Sequence, residues 1–292
     1  MQHNISFRAM NTAVDVFAEA EGMPPIDLFV SVKMLFEDQE QRFSRFRPAS
    51  ALSALNRGEA VNDARFAKAC GFALEAHAFT AGLFNPMVLP ALSEAGYDRS
   101  FEAVSGGGAP RPQAVPDPRD CIEIDGDTVR LREGQLDLGG LVKGWTVDLA
   151  VELFLGRYPA IFVNAGGDLR GEGAETGYDG WLVTVERPGE DRTCWEGVIR
   201  GAMATSTTRK RRWQTASGGP AHHLIDPRTG VPAEAPYAQV TAWAPQTWVA
   251  ETWAKAVLIG GESTLQSALA ANIRVLTLDP AGTDGLHEPV PG

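Results

Sequence analysis

The chain has 292 residues, of which 44% are apolar and 22% are charged, so it can bury a sizeable core and is not a disordered protein. Its formal net charge is −11, which repels phosphate backbones and anionic lipid, and we expect no nucleic-acid binding. The 31 glycines follow no collagen period, so they belong either to turns or to a ligand site.

The cysteines and the N-terminus favour a cytoplasmic protein without membrane insertion, with a protein read without its leader as the alternative. Cys70, Cys121 and Cys194 form no CxxC pair, so neither a zinc site nor a disulfide framework is indicated, and reduced thiols are expected. The first residues lack the basic start and apolar run of a signal peptide, and no apolar stretch has the length of a membrane-spanning helix.

In the first half of the chain, the apolar spacing predicts strands and helices in irregular order. Alternation over residues 5–20 predicts one bulged strand or two strands. A proline pair at 24–25 opens a helix, and a second helix covers about 64–80. The Gly- and Pro-rich loop over 105–119 is the clearest break in the chain, and Asp125-Gly126 predicts a hairpin.

The second half of the chain also predicts strands and helices in irregular order. Helices are predicted from the glycine-rich turn at 139–144 through about 156 and over 248–259, and strands over 160–164, 182–185, 239–243 and 273–278. There is no regular strand–helix repeat, so the fold class is expected to be α+β rather than doubly wound. We expect one domain over residues 1–292, with two interleaved lobes divided near 105–119 as the alternative.

Two glycine-rich segments are candidates for ligand binding. In LDLGGLVKGW (136–145), paired glycines allow close approach of backbone to a ligand, and Lys143 adds a cation in the first helical turn, where the helix dipole disfavours it. An anionic partner would explain that lysine; a β-turn with a solvated lysine is the alternative. In NAGGD (164–168) a buried strand ends in a turn with a carboxylate, which is either a ligand loop or a plain Asp turn.

Two further segments carry polar chemistry. His223 and Asp226, in HHLIDPRTG (222–230), are an acid–base pair or a metal site, or the segment is only a hairpin turn. Adjacent histidines on a strand point to opposite faces, so at most one of them is functional. The basic segment TSTTRKRRW (205–213) suits phosphate contact or is a solvated loop.

Six strings in one order resemble the ApbE family, the FAD:protein FMN transferases. They are FRAMNT (7–12), FSRFRP (43–48), TAGLFNP (80–86), DLGGLVKG (137–144), NAGGD (164–168) and HLIDPRTG (223–230). The resemblance runs nearly end to end and implies an ApbE-like α+β fold with mixed or antiparallel sheets flanked by helices. It also implies a reaction: cleavage of the FAD pyrophosphate, transfer of FMN to a Thr or Ser hydroxyl of an acceptor flavoprotein, and release of AMP.

The resemblance and the glycine motifs together assign site residues. His223 is the expected active-site histidine, with Asp226 beside it as a second catalytic candidate. The expected FAD-binding residues are Met10, Phe46, Leu83, Phe84, Asn85, Asp137, Gly139, Lys143, Gly167, Asp168 and Ile225. FAD is expected as substrate; a binding protein that holds FAD without transfer and a hydrolase that splits FAD to FMN and AMP are the competing hypotheses.

The family's Mg²⁺ site is where this sequence departs. The resemblance implies a ligand carbonyl at Gly140 and side-chain ligands from an Asp and a Thr four apart on a late helix; Glu251 and Lys255 stand at those positions. Glutamate is a usable ligand, but a protonated ammonium is not. Lys255 either places its own charge on the pyrophosphate or forms an i,i+4 salt bridge with Glu251. We expect altered or absent Mg²⁺ dependence.

Overall fold

The computed structural model describes residues 1–104 and 106–289; Ser105, in the predicted loop, and residues 290–292 lie outside the description. The α-helices of the described residues are α1 (Ile26–Phe43), α2 (Ala51–Asn56), α3 (Ala64–Phe79), α4 (Leu89–Glu94), α5 (Pro118–Cys121), α6 (Val142–Glu152), α7 (Thr247–Gly260) and α8 (Glu262–Ala270). The β-strands are β1 (Gln2–Ala9), β2 (Thr12–Glu19), β3 (Val61–Asn62), β4 (Ile122–Asp125), β5 (Thr128–Leu131), β6 (Ala160–Ala165), β7 (Asp168–Glu172), β8 (Trp181–Glu186), β9 (Thr193–Ile199), β10 (Gly201–Thr207), β11 (Arg212–Gln214), β12 (Pro220–His222), β13 (Ile225–Asp226), β14 (Val231–Pro232), β15 (Gln239–Ala244), β16 (Arg274–Leu278) and β17 (Asp284–His287).

The centre of the fold is an eight-stranded antiparallel sheet in the order β1-β2-β6-β7-β10-β15-β16-β17. The smaller sheets are β3-β5-β4, β8-β9, β11-β12 and β13-β14. An antiparallel sheet with separate helices is an α+β architecture, so the predicted fold class is confirmed and a doubly wound parallel sheet is excluded.

Helices cover one face of the large sheet, and a strand pair covers part of the other. On the first face α1 and α6 pack on β2 and β6, and α7 packs with α8 on β15 and β16. On the second face β8 and β9 pack against Phe162 and Met203. Each buried side chain of Val, Leu or Phe size contributes ~1.5–3 kcal/mol, so these two layers hold the sheet in place.

Two hairpin turns of the sheet meet at one end of it. Met10 and Asn11 connect β1 to β2 with positive φ values of 49° and 59°, and Gly166 and Gly167 connect β6 to β7. Such two-residue turns need left-handed backbone, which glycine adopts without strain. A Cβ atom added at Gly166 would lie 2.1 Å from the Oγ1 of Thr12, so the close approach of the two turns requires glycine there.

Most of the predicted elements are confirmed. Residues 5–20 form two strands rather than one, and the helices after Pro25, over 64–79 and over 247–260 are present, as is the hairpin around Asp125-Gly126. From 106 to 117 the described loop has neither helix nor strand. No helix in the described part of the chain is both long enough and apolar enough to cross a membrane. The one-domain organisation stays a prediction.

Two boundaries differ from the sequence prediction. The helix expected through about 156 ends at Glu152, because the N–H groups of residues 154, 155 and 157 bond to the carbonyl three residues before them and Gly156 has a φ of 75°. The basic segment, for which a solvated loop was one of two interpretations, contributes residues 205–207 to β10, and its last two residues begin β11 (Arg212–Gln214). Residues 208–211, which include three of its basic side chains, connect the two strands.

Candidate functional site

A cavity of about 750 Å³ opens at the end of the sheet where the two hairpin turns lie. It falls within the size range of pockets for organic ligands and cofactors. The structure brings together these predicted site residues on its wall: Met10, Phe46, Leu83, Phe84, Asn85, Asp137, Gly139, Gly140, Lys143, Asp168, His223, Ile225 and Glu251. Segments far apart in the sequence thus form one site.

The carboxylate of Asp137 organises the glycine-rich turn before α6. Its Oδ1 accepts a hydrogen bond of 2.7 Å from the Gly139 N–H, and its Oδ2 pairs with the Arg45 Nε at 2.7 Å. The local bond inside the turn holds Gly139 and Gly140 at the cavity wall. Asp137 therefore stabilises the turn and also pairs with the Arg45 guanidinium.

Arg45 is a site residue that the sequence analysis missed. Its guanidinium lies 4.2 Å from the ring centre of Phe46 and 4.6 Å from that of Tyr97, and its side chain is 7% exposed. The Nη2 group is buried and finds no hydrogen-bond partner among the described residues. A buried guanidinium N–H without an acceptor is costly, so a ligand acceptor here would be stabilised. The position of Arg45 between two aromatic residues in FSRFRP was the available signal.

Two of the lysines on the cavity wall, Lys143 and Lys255, are each paired with a buried carboxylate. Lys143, at the start of α6, pairs with Asp168 and donates a 2.9 Å hydrogen bond to the Ala165 carbonyl. Lys255 on α7 lies 2.8 Å from the Glu251 Oε1. The anionic partner inferred for Lys143 from its place at the helix start is thus already present within the protein as Asp168, and each ammonium can still reach a ligand from the cavity wall.

The two carboxylates differ in their electrostatic surroundings. Burial, followed by the negative charge of Glu251, raises the pKa of Asp168 above its usual range. Burial alone would raise the pKa of Glu251 as well, but the ammonium groups of Lys255 and then Lys143 lower it below its usual range. Glu251 is therefore the firmly ionised carboxylate of the pair.

His223 lines the cavity as a neutral imidazole. Burial, and then the positive charges of Arg211 and Lys255, hold its pKa well below the usual value of a histidine. Its Nδ1 is buried and has no hydrogen-bond partner in the part of the chain that the structure describes. His222 lies apart, with its Nε2 3.1 Å from the Ala233 carbonyl oxygen. Only His223 of the two is placed to exchange a proton with a ligand.

Asp226 and Gly167 do not line the cavity. The Asp226 carboxylate accepts hydrogen bonds from the Arg228 backbone N–H at 2.9 Å and from its guanidinium at 2.7 Å, so the predicted pairing with His223 is not what the structure shows. The physical reason is the tight turn after Pro227, which directs the carboxylate to its own loop. The Gly167 N–H is bonded to the Asn164 Oδ1 at 2.9 Å, and this glycine shapes the turn.

The residues at the expected metal position do not fit Mg²⁺. Both oxygens of Glu251 are engaged, Oε1 by the Lys255 Nζ and Oε2 by the Gly144 N–H at 2.9 Å. Mg²⁺ requires oxygen ligands in octahedral geometry, and an ammonium offers only donors. Within residues 1–104 and 106–289, no three His, Cys, Asp or Glu side chains form a group suited to a metal ion.

The cavity is positively charged within an acidic protein. Its described lining has six cationic side chains and four carboxylates, namely Arg45, Arg47, Lys143, Lys210, Arg211 and Lys255 against Glu40, Asp137, Asp168 and Glu251. His223 adds no charge, because its pKa is held low. The balance favours an anionic ligand, although the chain carries −11 overall.

The antiparallel α+β fold carries a large aromatic and cationic cavity, which is the kind of site that suits a sizeable organic anion. Residues 10–277 match the model of the ApbE family, and the chain belongs to that family. A relative from Haemophilus influenzae named FAD:protein FMN transferase is 24% identical over 274 residues, which cover 84% of this chain and 76% of the relative. One of that name from Vibrio cholerae is 23% identical over 89% of this chain and 81% of the relative.

Solved structures agree in fold. The crystal structure of the ApbE protein from Thermotoga maritima has a TM-score of 0.87 at 23% identity and covers 99% of this chain and 97% of its own. The flavin transferase ApbE from Vibrio cholerae has a TM-score of 0.78 at 22% identity and covers 98% of this chain and 97% of its own. The ApbE-like fold implied by the sequence motifs is therefore confirmed.

Proposed function

We propose that this protein is an FAD:protein FMN transferase. Its reaction would cleave the pyrophosphate of FAD, attach FMN through a phosphoester to a Thr or Ser of an acceptor protein and release AMP. The observation that carries the proposal is the neutral His223 in the same cavity as the ammonium groups of Lys143 and Lys255. Phosphoryl transfer needs a positioned hydroxyl, a proton acceptor and positive charge on the phosphates, and these residues supply the last two.

The chemical step assigns one role to each group. The acceptor hydroxyl oxygen bonds to the phosphorus of the FMN half, while the bond from that phosphorus to the bridging oxygen breaks and AMP leaves with the oxygen. His223 takes the hydroxyl proton, since its imidazole is neutral. Lys143 and Lys255 face the charge that grows on the phosphate oxygens. The donor set does not fit Mg²⁺, so we propose a reaction with altered or absent Mg²⁺ dependence.

The aromatic rings of FAD would lie on the apolar part of the wall. Phe46, Phe84 and Tyr97 line this part, and Met10 lies at the hairpin turn nearby. Offset or edge contacts between aromatic rings add about 0.5–1.5 kcal/mol beyond the area they bury. The same wall would serve the two alternatives, an FAD-binding protein without transfer and an FAD hydrolase.

One experiment separates the three functions. The protein is incubated with FAD and with an acceptor protein that the Vibrio cholerae enzyme flavinylates, and the acceptor mass and released AMP are measured together. Transfer predicts the FMN mass on the acceptor and an equal amount of AMP. AMP with an unmodified acceptor indicates a hydrolase, and FAD binding without either product indicates a binding protein. An acceptor with its Thr changed to Val is the control.

Arg45→Lys is expected to weaken FAD binding by about tenfold, which corresponds to ~1.4 kcal/mol. The change keeps the positive charge but removes the planar group that stacks on Phe46 and Tyr97. Titration of FAD followed by flavin fluorescence measures the dissociation constant. Arg47→Lys is the matched control, because the Arg47 side chain is 52% exposed and pairs with Glu40 at the rim. Equal effects of the two changes would contradict the role of Arg45.

The pH dependence of transfer follows from His223. Its pKa is held well below the usual histidine value by burial and by Arg211 and Lys255, so the base stays neutral through pH 6.5 and the rate falls only at lower pH. Arg211→Met removes one positive neighbour, which raises the pKa of His223 and moves the acid limb to higher pH. Profiles of kcat/KM against pH check both expectations. An acid limb that is unchanged in this variant would contradict the electrostatic argument.

A further inference from the structure

We propose that the Lys255 ammonium occupies the place of a divalent metal ion at the pyrophosphate and supplies its positive charge, with Glu251 as the residue that positions it. This inference rests on the proposed function, because it assigns a role within FMN transfer. It goes beyond the loss of a metal ligand, since it assigns the cationic role to a side chain of the protein itself.

The carboxylate that holds the ammonium is itself fixed on two sides. Glu251 and Lys255 lie four residues apart on α7, and the Nζ is 2.8 Å from the Oε1. The other oxygen of Glu251 accepts a 2.9 Å hydrogen bond from the Gly144 N–H in the first turn of α6. The carboxylate is 1% exposed and the lysine side chain 17%, so the anchor is buried while the ammonium is accessible from the cavity. This anchored arrangement holds a charge that needs little reorganisation when the ligand binds.

The lysine also lies against the glycine-rich turn. A Cβ atom added at Gly140 would lie 3.3 Å from the Cε of Lys255 and 3.2 Å from a ring carbon of Phe84. The side chain of Lys255 thus lies next to Gly140, whose carbonyl was the expected metal ligand. A divalent ion in this place would meet a positive charge and would have to compete for both oxygens of Glu251.

A second lysine completes the arrangement. Lys143 is held by buried Asp168 on the same cavity wall, so two ammonium groups are presented together. A pyrophosphate bridge carries two negative charges, and two ammonium groups match them in number.

Burial distinguishes the Lys255–Glu251 and Lys143–Asp168 pairs from an ordinary salt bridge on a helix surface. Lys33 and Glu37 are also four residues apart on a helix, but their charged atoms are 3.9 Å apart and their side chains are 52% and 54% exposed. Solvent therefore screens their charges.

The experiment compares three forms of the enzyme with the wild type. Lys255→Met removes the charge, Lys255→Arg retains it, and Glu251→Asp combined with Lys255→Thr restores the ligand types of the family's metal site. Lys33→Met is the matched control on the exposed pair. Mg²⁺ binding is measured by calorimetry, FAD affinity by flavin fluorescence, and FMN transfer with and without EDTA.

The expected results are specific. The wild type shows no saturable Mg²⁺ binding at millimolar metal, and EDTA leaves transfer unchanged. Lys255→Met weakens FAD binding by about tenfold and slows transfer by about 10²-fold, while Lys255→Arg retains most of the affinity. The double variant binds Mg²⁺ and transfers FMN only when the metal is present. Lys33→Met behaves as the wild type.

Three results would overturn the proposal: one tightly bound Mg²⁺ in the wild type with transfer stopped by EDTA, wild-type FAD affinity in Lys255→Met, or failure of the double variant to gain Mg²⁺ binding. The Mg²⁺ titration of the wild type needs no variant, so it tests the proposal even if Lys255→Met does not fold. If the wild type yields neither modified acceptor nor AMP, the proposed function fails, whereas the FAD affinities still report separately on Lys255.

Discussion

Transfer of FMN by His223→Ala is expected to fall by about 10²- to 10⁴-fold, the range that a positioned general base contributes. The imidazole lies on the cavity wall, and burial and the charges of Arg211 and Lys255 hold its pKa low. It is therefore unprotonated at neutral pH and free to accept the hydroxyl proton. FAD affinity is expected to change by no more than about threefold, because a neutral side chain at this position adds no attraction for the phosphates.

The measurement must separate binding from transfer. FAD affinity comes from flavin fluorescence, and the rate comes from the mass of the acceptor at saturating FAD. His287→Ala is the control, because that histidine is on β17 at the edge of the sheet and contacts Thr277. Loss of FAD binding in His223→Ala would make the residue structural. An unchanged transfer rate would mean that another group takes the proton.

Several elements of the fold were predictable from local patterns. The alternation before residue 20, the apolar run over 160–164 and the apolar spacing after Pro25 each depend on neighbours in the sequence, and each produced the expected strand or helix. β10 was missed for a physical reason. Its residues Ala202, Met203 and Ala204 are all buried, because α7 covers one face of the strand and the β8–β9 pair packs against Met203 on the other, so the strand shows no alternation of apolar and polar residues.

The composition of the site was predictable, but the pairing of its charges was not. Thirteen of the residues that the motifs and the resemblance named line one cavity. The contacts of Lys143 with Asp168 and of Arg45 with Asp137 join segments 25 and 92 positions apart, and only the packing of α6 and α7 on the sheet brings such groups together. The Glu251–Lys255 pair could be inferred from its spacing, whereas its burial against Gly144 depends on the tertiary structure.

The helix that carries Glu251 and Lys255 begins at a cap supplied by another helix. Gln246, at the start of α7, makes no side-chain capping bond. Asp148 on α6 replaces it: its Oδ1 accepts bonds of 2.8 Å from both the N–H and the hydroxyl of Thr247, and its Oδ2 accepts one of 3.1 Å from the Trp248 N–H. The carboxylate is 2% exposed and also contacts Arg170. One side chain therefore satisfies the first N–H groups of α7 and fixes this helix to α6.

Asp148→Ala is accordingly expected to lower the free energy of unfolding by ~1–3 kcal/mol for each of the two N–H groups of α7, those of Thr247 and Trp248, that lose their buried acceptor. Arg170 keeps its ion pairs with Glu152 and Glu172. Asp148→Asn keeps the volume and one acceptor oxygen, so a smaller loss is expected. Urea unfolding curves give the comparison, and Asp125→Ala in the exposed hairpin is the control, with a change within about 0.5 kcal/mol. FAD affinity should fall together with stability in Asp148→Ala, because α7 positions Lys255. A variant as stable as the wild type would show that α7 is held by its apolar contacts alone.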